Sequence, residues 1–268
     1  MIDCHTHTKY SHDSTQDPRE AIESAISKNI EYLAFTDHCD RDCLFSPRHK
    51  DKIRQIDLDA CMKEITALKE EYKGKIEIGV GIECGYMKDA TPLYEKDLAE
   101  FNTDIIINSI HLVDFTDCYF KEFFEDKTKE EAYMMYTKAI YNSLFVPYPY
   151  DVVAHIGYVS RKAPYEDKIY RYSELKDVID EILKTVIQKG KALEINSHAE
   201  NTGDLTLPNI DIIKRYKELG GELLTFASDA HKIEKQCFMY NEITQRLKDC
   251  GFKYLFKYLA HKPIAVKI

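Results

Sequence analysis

Apolar positions in this chain gather in seven short runs rich in Ile, Val, Leu and Phe, at Met1–His7, Glu31–His38, Lys75–Cys84, Asp104–Leu112, Asp151–Ile156, Ala192–Asn196 and Glu222–Ser228. Nearly continuous apolar runs of this length are the pattern of parallel strands buried on both faces. Amphipathic stretches separate them. Asp17-Pro18-Arg19-Glu20 supplies an N-cap, a proline at N1 and a glutamate at N3 ahead of Ala21–Lys28, and so predicts a helix. Leu58–Tyr72 carries Leu58, Met62, Ile65 and Leu68 on one helical face among Lys and Glu. Lys129–Leu144 reads likewise, as does Ser173–Lys189, from a Ser173 cap to Gly190. Ile210–Leu219 ends in Gly220-Gly221, Ile233–Leu259 predicts one or two closing helices, and Pro263–Ile268 a short edge strand. Pro147–Tyr150 and Tyr165–Tyr172 read as loops, the second at a pocket rim. Strand and helix alternate without internal repeat or linker, which makes the chain α/β and a single domain over residues 1–268.

The ends of these runs share a chemistry. The first carries His5 and His7, two positions apart and therefore on one face of a strand. Later runs end in Asp37-His38, Glu83, His111, His155, Glu194 and Asp229-Ala230-His231. A lone His-x-His pair is more often two ordinary strand histidines than a metal grip. Here six of the 10 histidines fall at or just past a strand end, where a (β/α) barrel assembles its active site. Imidazole and carboxylate donors suit zinc, manganese or iron, and the absence of thiolate ligands leaves such ions strongly Lewis acidic. The pattern points to a multinuclear metal hydrolase.

Charge narrows the substrate. A formal net charge of -9 argues against the Lys/Arg fields that draw proteins to nucleic acid or anionic membranes. The 8 cysteines contain no CxxC pair, and no secretory leader is read at the start, so they are expected to be reduced thiols of a cytoplasmic protein. No apolar stretch approaches the roughly 18 residues that span a bilayer.

Taken as a set, HTHT at 5–8, TDH at 36–38, GIECG at 81–85, SIH at 109–111, AHIGY at 154–158, EIN at 194–196 and SDAH at 228–231 resemble the polymerase and histidinol phosphatase (PHP) superfamily, in order and across nearly the whole chain. The resemblance implies a distorted seven-stranded (β/α)7, TIM-like barrel with three divalent ions at the strand ends. It implies that His5, His7, Glu83 and Asp229 hold one ion, and that Glu83 bridges to a second held by His111 and His155. His38 and His231 take the third with Asp13, six positions beyond His7; His12, one position short, is the alternative ligand or a substrate contact. Glu83 and Asp229 are then the central catalytic carboxylates, around a metal-bridging hydroxide that attacks phosphorus. Asp37 is a further candidate, orienting a ligand or capping the next loop.

Arg161 is the first candidate for gripping phosphate through its planar fork, an exposed ion pair being the plainer alternative. Asn196 shares a face with Glu194, and His198 stands near where many relatives carry an arginine, a departure that bears on phosphate-monoester specificity. His49 and His261 are expected at the surface, Arg41 and Arg48 in solvent, and Cys4 and Cys84 as buried filler. Loops 39–56, 114–128 and 158–172 are expected to select the substrate. The leading expectation is a phosphatase acting on a small phosphorylated metabolite, L-histidinol phosphate in histidine biosynthesis. The alternatives are a phosphodiesterase or nucleotide phosphoesterase, and a non-catalytic metal-binding regulatory module; the last would keep buried His and carboxylates at a cost.

Overall fold

All seven apolar runs form strands in the computed structural model, which describes residues 1–268. In chain order the strands are β1 (Ile2–Thr6), β2 (Tyr32–Cys39), β3 (Glu77–Gly85), β4 (Ile105–Ser109), a small hairpin of β5 (Leu112–Val113) and β6 (Thr116–Asp117), then β7 (Val152–Val153), β8 (Ala192–Asn196) and β9 (Leu224–Ala227). Apart from the hairpin they make one parallel sheet in the order β1-β2-β3-β4-β7-β8-β9. The ends of that sheet meet. Asp229 N donates to His5 O (2.9 Å) and His7 N to Ala230 O (3.0 Å), so β1 and the chain leaving β9 nearly close a barrel. This is the seven-stranded (β/α) barrel that the apolar runs and the motif resemblance imply.

The helices α1 (Pro18–Ser27), α2 (Leu58–Glu71), α3 (Thr91–Glu100), α4 (Lys129–Ser143), α5 (Lys176–Gln188), α6 (Ile210–Glu218) and α7 (Tyr240–Asp249) return the chain between strands or follow the last one. Asp17 caps α1 as its position predicts, accepting from Arg19 N and Glu20 N. Ser173 does not cap α5. Residues Tyr172–Glu174 form a separate 3-10 turn, tied by Tyr172 N to Asp211 Oδ2 at 2.9 Å, and α5 starts two residues later without a side-chain cap. Tyr165–Tyr172 is a loop but not a pocket rim: Tyr170 Oη lies 2.5 Å from Thr137 Oγ1, and Tyr165 Oη donates to Lys127 O, so the segment packs on and beside α4.

The end of the chain departs most from expectation. Only α7 of Ile233–Leu259 is a full helix; Tyr254–Leu259 is a strand, β10, paired antiparallel with β11 (Lys262–Lys267). This hairpin covers the barrel at the N-terminal ends of its strands. Tyr32, the first residue of β2, sends its hydroxyl across Gly79 to Tyr258 O (2.7 Å), and a Cβ at Gly79 would stand 2.3 Å from the Tyr32 hydroxyl. Asp104 Oδ2 accepts from Val80 N (2.9 Å) and Asp104 Oδ1 from Ala260 N (3.0 Å), while Asp151 Oδ2 meets His261 Nδ1 at 2.9 Å. Replacing Asp104 by alanine orphans two backbone donors. Urea denaturation is expected to show a loss of about 2–4 kcal/mol, with turnover at the opposite end of the barrel unchanged.

Candidate metal centre

The two-residue period of β1 points His5 and His7 the same way, into the barrel mouth, and both are fully buried. Each is oriented by its Nδ1. His5 Nδ1 lies 2.7 Å from Glu194 Oε1. His7 Nδ1 lies 3.0 Å from Ser11 Oγ, which itself donates to Asp37 Oδ1 at 2.7 Å and so must accept from the imidazole. A proton on Nδ1 leaves the Nε2 lone pairs of both rings free, and these atoms come within 3.1 Å of each other. His231 is oriented in the same way by Asp229 O, 3.0 Å from its Nδ1.

Glu83, at the end of β3 and fully buried, stands at the centre. Its Oε1 is 2.9 Å from His155 Nε2 and 3.3 Å from His111 Nε2; its Oε2 is 2.8 Å from His38 Nδ1 and 3.3 Å from His5 Nε2. Asp229 Oδ1 lies 3.1 Å from His7 Nε2. On the outer side, His38 Nε2 and His231 Nε2 are 3.4 Å apart, and Asp13 reaches them at 3.7 and 3.1 Å respectively. Three groups of donors thus lie within 4.8 Å of one another: His5, His7 and Asp229; His38, Glu83 and His111; and His7, His38 and His231. Asp13 faces the outer group, whereas His12 turns to Asp40, 3.3 Å away.

Several of these buried atoms have no hydrogen-bond partner: His38 Nδ1, Glu83 Oε2, Asp40 Oδ1 and His155 Nδ1. His38 Nδ1 and Glu83 Oε2 are close but too poorly aligned to bond to one another. Asp40 Oδ1 also lies 3.7 Å from His38 Nδ1, so three of the four unpaired atoms converge without satisfying each other, the arrangement a divalent cation needs; such atoms are otherwise costly to bury. The donor set, nitrogen and carboxylate oxygen only, fits zinc, manganese or iron.

The electrostatics are extreme in both directions. Burial pushes the Glu83 carboxyl upward, but the attraction of His5, His38 and His111 outweighs it and holds the group well below the usual carboxylate range. Asp229 behaves alike: burial raises it, and Arg161, His198 and His7 bring it well down. Burial, with His231 and His38 as like-charged neighbours, keeps His7 well below an ordinary histidine. For His38 burial is opposed by Asp40 and Glu83, which carry it to about 10.

Backbone strain sits at two of the ligand positions. His155 and Asp229 have φ of 22° and 52°, in the region where a side chain is crowded. Each is held there: His155 N donates to Glu194 Oε2 (2.8 Å) and Tyr158 N to His155 O (2.9 Å), while Asp229 N is fixed by His5 O.

The cavity over this cluster measures about 430 Å³. Arg161 enters it as expected, with its Nε on His198 O (2.8 Å) and one terminal nitrogen on Asp229 Oδ2 (2.9 Å); the other, Nη1, bonds nothing in the protein. His198 and His12 also line the cavity. Asn196 does not: it is buried beneath, donating to Glu194 Oε2 and accepting from His198 N. Nor does Asp37, whose carboxylate is consumed by Thr8 and Ser11 and acts behind the ligands as a positioning group. His49 is a correction, since it is buried and lines the cavity beside Phe120 rather than standing at the surface. Arg41 is not free in solvent but bonds Asp97 at 2.6 Å and Gln55 at 2.9 Å. Arg48 pairs with Glu122 over the Phe120 ring. His261 is exposed as expected, though fixed by Asp151.

Asp40 is a residue that the sequence reading misses. It is buried between His12, His38 and His111, and it lines the cavity. The signal was available: Asp40 is two positions beyond His38, the relation that joins His5 to His7.

A family model described as PHP domain matches residues 3–198. The probable histidinol-phosphatase of Clostridium acetobutylicum is 29% identical over 256 residues, which cover 96% of this chain and 96% of that protein. The histidinol-phosphatase of Lactococcus lactis subsp. lactis is also 29% identical, over 95% of this chain and 93% of its own. Among solved structures, the chain is similar to histidinol phosphate phosphatase from Lactococcus lactis, complexed with zinc, L-histidinol and phosphate. The TM-score is 0.88 at 28% identity, with 98% of each chain covered.

Proposed function

We propose that this chain, which belongs to the PHP domain family, is a metal-dependent phosphoric monoester hydrolase that converts L-histidinol phosphate to L-histidinol and phosphate. The observation that carries the reading is the convergence of His5, His7, His38, His111 and His231 with the carboxylates of Glu83 and Asp229 into three overlapping donor groups, with buried polar atoms left unpaired among them. His5, His7, Glu83 and Asp229 would hold one divalent cation, Glu83 with His111 and His155 a second, and His38, His231 and Asp13 a third. Zinc, manganese and iron all suit these donors. When bound, such cations supply Lewis acidity that brings a coordinated water to a nucleophilic state near neutral pH and offsets phosphoryl charge.

The protein's own part is orientation. Glu194 and the Ser11–Asp37 pair lock the tautomers of His5 and His7, so that their Nε2 lone pairs are presented without rearrangement. Arg161 is held by Asp229 and His198 O at an angle that leaves Nη1 for a phosphoryl oxygen. Asp229 thereby joins the ligand cluster to the phosphate grip. The walled cavity and the charge of -9 suit a small metabolite better than a polymeric diester. No helix is long and apolar enough to cross a membrane, which accords with a soluble, cytoplasmic enzyme.

Metal analysis of the purified protein, with phosphate release measured on L-histidinol phosphate, an aryl phosphate and an aryl diester, tests this. The expected kcat/KM is at least about 100-fold higher for L-histidinol phosphate than for either aryl compound, the margin that dedicated polar contacts to a substrate give. Equal rates on the two monoesters would defeat the substrate assignment and leave a metal-dependent phosphatase.

A further inference from the structure

The strand that carries His5 and His7 also carries a carboxylate that faces no ligand. Asp3 is fully buried, and no basic side chain forms an ion pair with it. Both of its oxygens are spent on backbone far along the chain: Oδ1 accepts from Ser228 N and Oδ2 from Cys237 N, each at 2.9 Å. Between those two amides lies the segment that bears Asp229 and His231.

That segment is strained near both ends. Asp229 has a φ of 52° and Cys237 a φ of 51°, the left-handed region that side chains other than glycine avoid. Such conformations persist only where the surroundings over-determine them. Part of the restraint is main chain on main chain, from Asp229 N to His5 O and from His7 N to Ala230 O. Asp3 adds the rest, tying the residue before Asp229 and the far end at Cys237 to the strand of the two histidines. The geometry calls for a carboxylate. Asparagine supplies one acceptor and turns its NH2 toward the other amide, whereas a buried anion without a counter-ion is costly unless both oxygens are used.

Resting on the metal reading above, we propose that Asp3 is a positioning residue of the metal centre. It sets the spacing of Asp229 and His231 against His5 and His7, across the place where the two ends of the barrel sheet meet. It touches neither cation nor substrate and acts through the backbone of Ser228 and Cys237.

The test compares D3N with D104A in the full-length enzyme. Asp104 does similar work at the opposite end of the barrel, where it receives Val80 N and Ala260 N, so D104A reports what a purely structural loss does. Zinc affinity, read by chelator competition, is expected to fall about 10- to 100-fold in D3N and to stay within about twofold of wild type in D104A. In D3N, kcat for L-histidinol phosphate should fall at limiting zinc and recover in excess zinc, with KM unchanged. Wild-type zinc affinity in D3N, or an equal loss in D104A, overturns the proposal. If D3N does not fold, hydrogen exchange in the zinc-loaded wild-type enzyme decides. The Ser228 and Cys237 amides are expected to exchange as slowly as those of Ile106 and Ile107 in β4, and exchange at the rate of exposed loop amides overturns the role of Asp3. A wild-type protein that binds no zinc would instead overturn the metal reading, and the role of Asp3 with it.

Discussion

Replacing Glu83 by glutamine is expected to lower kcat/KM for L-histidinol phosphate by about 1,000-fold or more, and to reduce the metal content of the protein in the same preparation. The substitution keeps nearly the same size and shape, so packing is not what changes. What changes is one negative charge within 2.8–3.6 Å of nitrogens from five histidines, His5, His7, His38, His111 and His155. An amide in that position offers one oxygen and turns its NH2 toward imidazole nitrogens. Removing the buried counter-charge leaves cationic or metal-bound partners uncompensated, the costly way to break a buried pair. Elemental analysis and steady-state kinetics on the one variant separate two outcomes. Metal lost together with activity agrees with Glu83 as a shared ligand; a variant keeping more than about a tenth of the wild-type rate would show that it is not.

The barrel strands are legible because a parallel strand covered on both faces has nearly every position apolar, as in Ile105–Ile106–Ile107 of β4. The ligands at their ends are legible because period-two spacing and strand ends are positional facts. Of the C-terminal hairpin only the second strand was, as the edge strand Pro263–Ile268; the first strand and the turn were not, and the turn shows why. Leu259 pairs with Lys262, so Ala260 and His261 are the whole loop, with φ of 46° and 62°. A two-residue turn with positive φ at both positions is ordinarily marked by Asn-Gly or Asp-Gly. Here Ala-His adopts it because Asp104 Oδ1 accepts from Ala260 N and Asp104 O from His261 N, while Asp151 receives the imidazole. The compensating residues lie more than a hundred positions away, beyond any local pattern.

The same distance hid the place of His49 in the cavity wall, whereas the orienting role of Asp37 was among the expectations. His49 reads as a loop histidine among Arg48, Lys50 and Asp51, and only the fold brings the β5–β6 hairpin against it. Asp37 is adjacent to a ligand in sequence, but strand alternation turns it to the opposite side from His38. There it binds Thr8 and Ser11 and fixes the loop that carries Asp13. Groups that touch the reacting atoms were thus easier to read than those that hold them, since the former share a type and the latter share only a location.

Asp229→Asn is expected to lower kcat/KM by about 100- to 1,000-fold while leaving the thermal midpoint within a few degrees of wild type. The choice of asparagine matters because Asp229 has a φ of 52°. Asn tolerates that left-handed conformation better than alanine, so this variant removes charge without adding backbone strain. The charge serves two groups at once: Oδ1 is 3.1 Å from His7 Nε2, and Oδ2 is 2.9 Å from Arg161. Without it, Arg161 retains only His198 O and a longer contact to Asn196 (3.4 Å), so its free nitrogen is no longer fixed relative to the cluster. Both kcat and the affinity for inorganic phosphate as an inhibitor should therefore fall together. If phosphate inhibition is unchanged while kcat drops, Asp229 acts through the metal alone and Arg161 is positioned by its remaining partners.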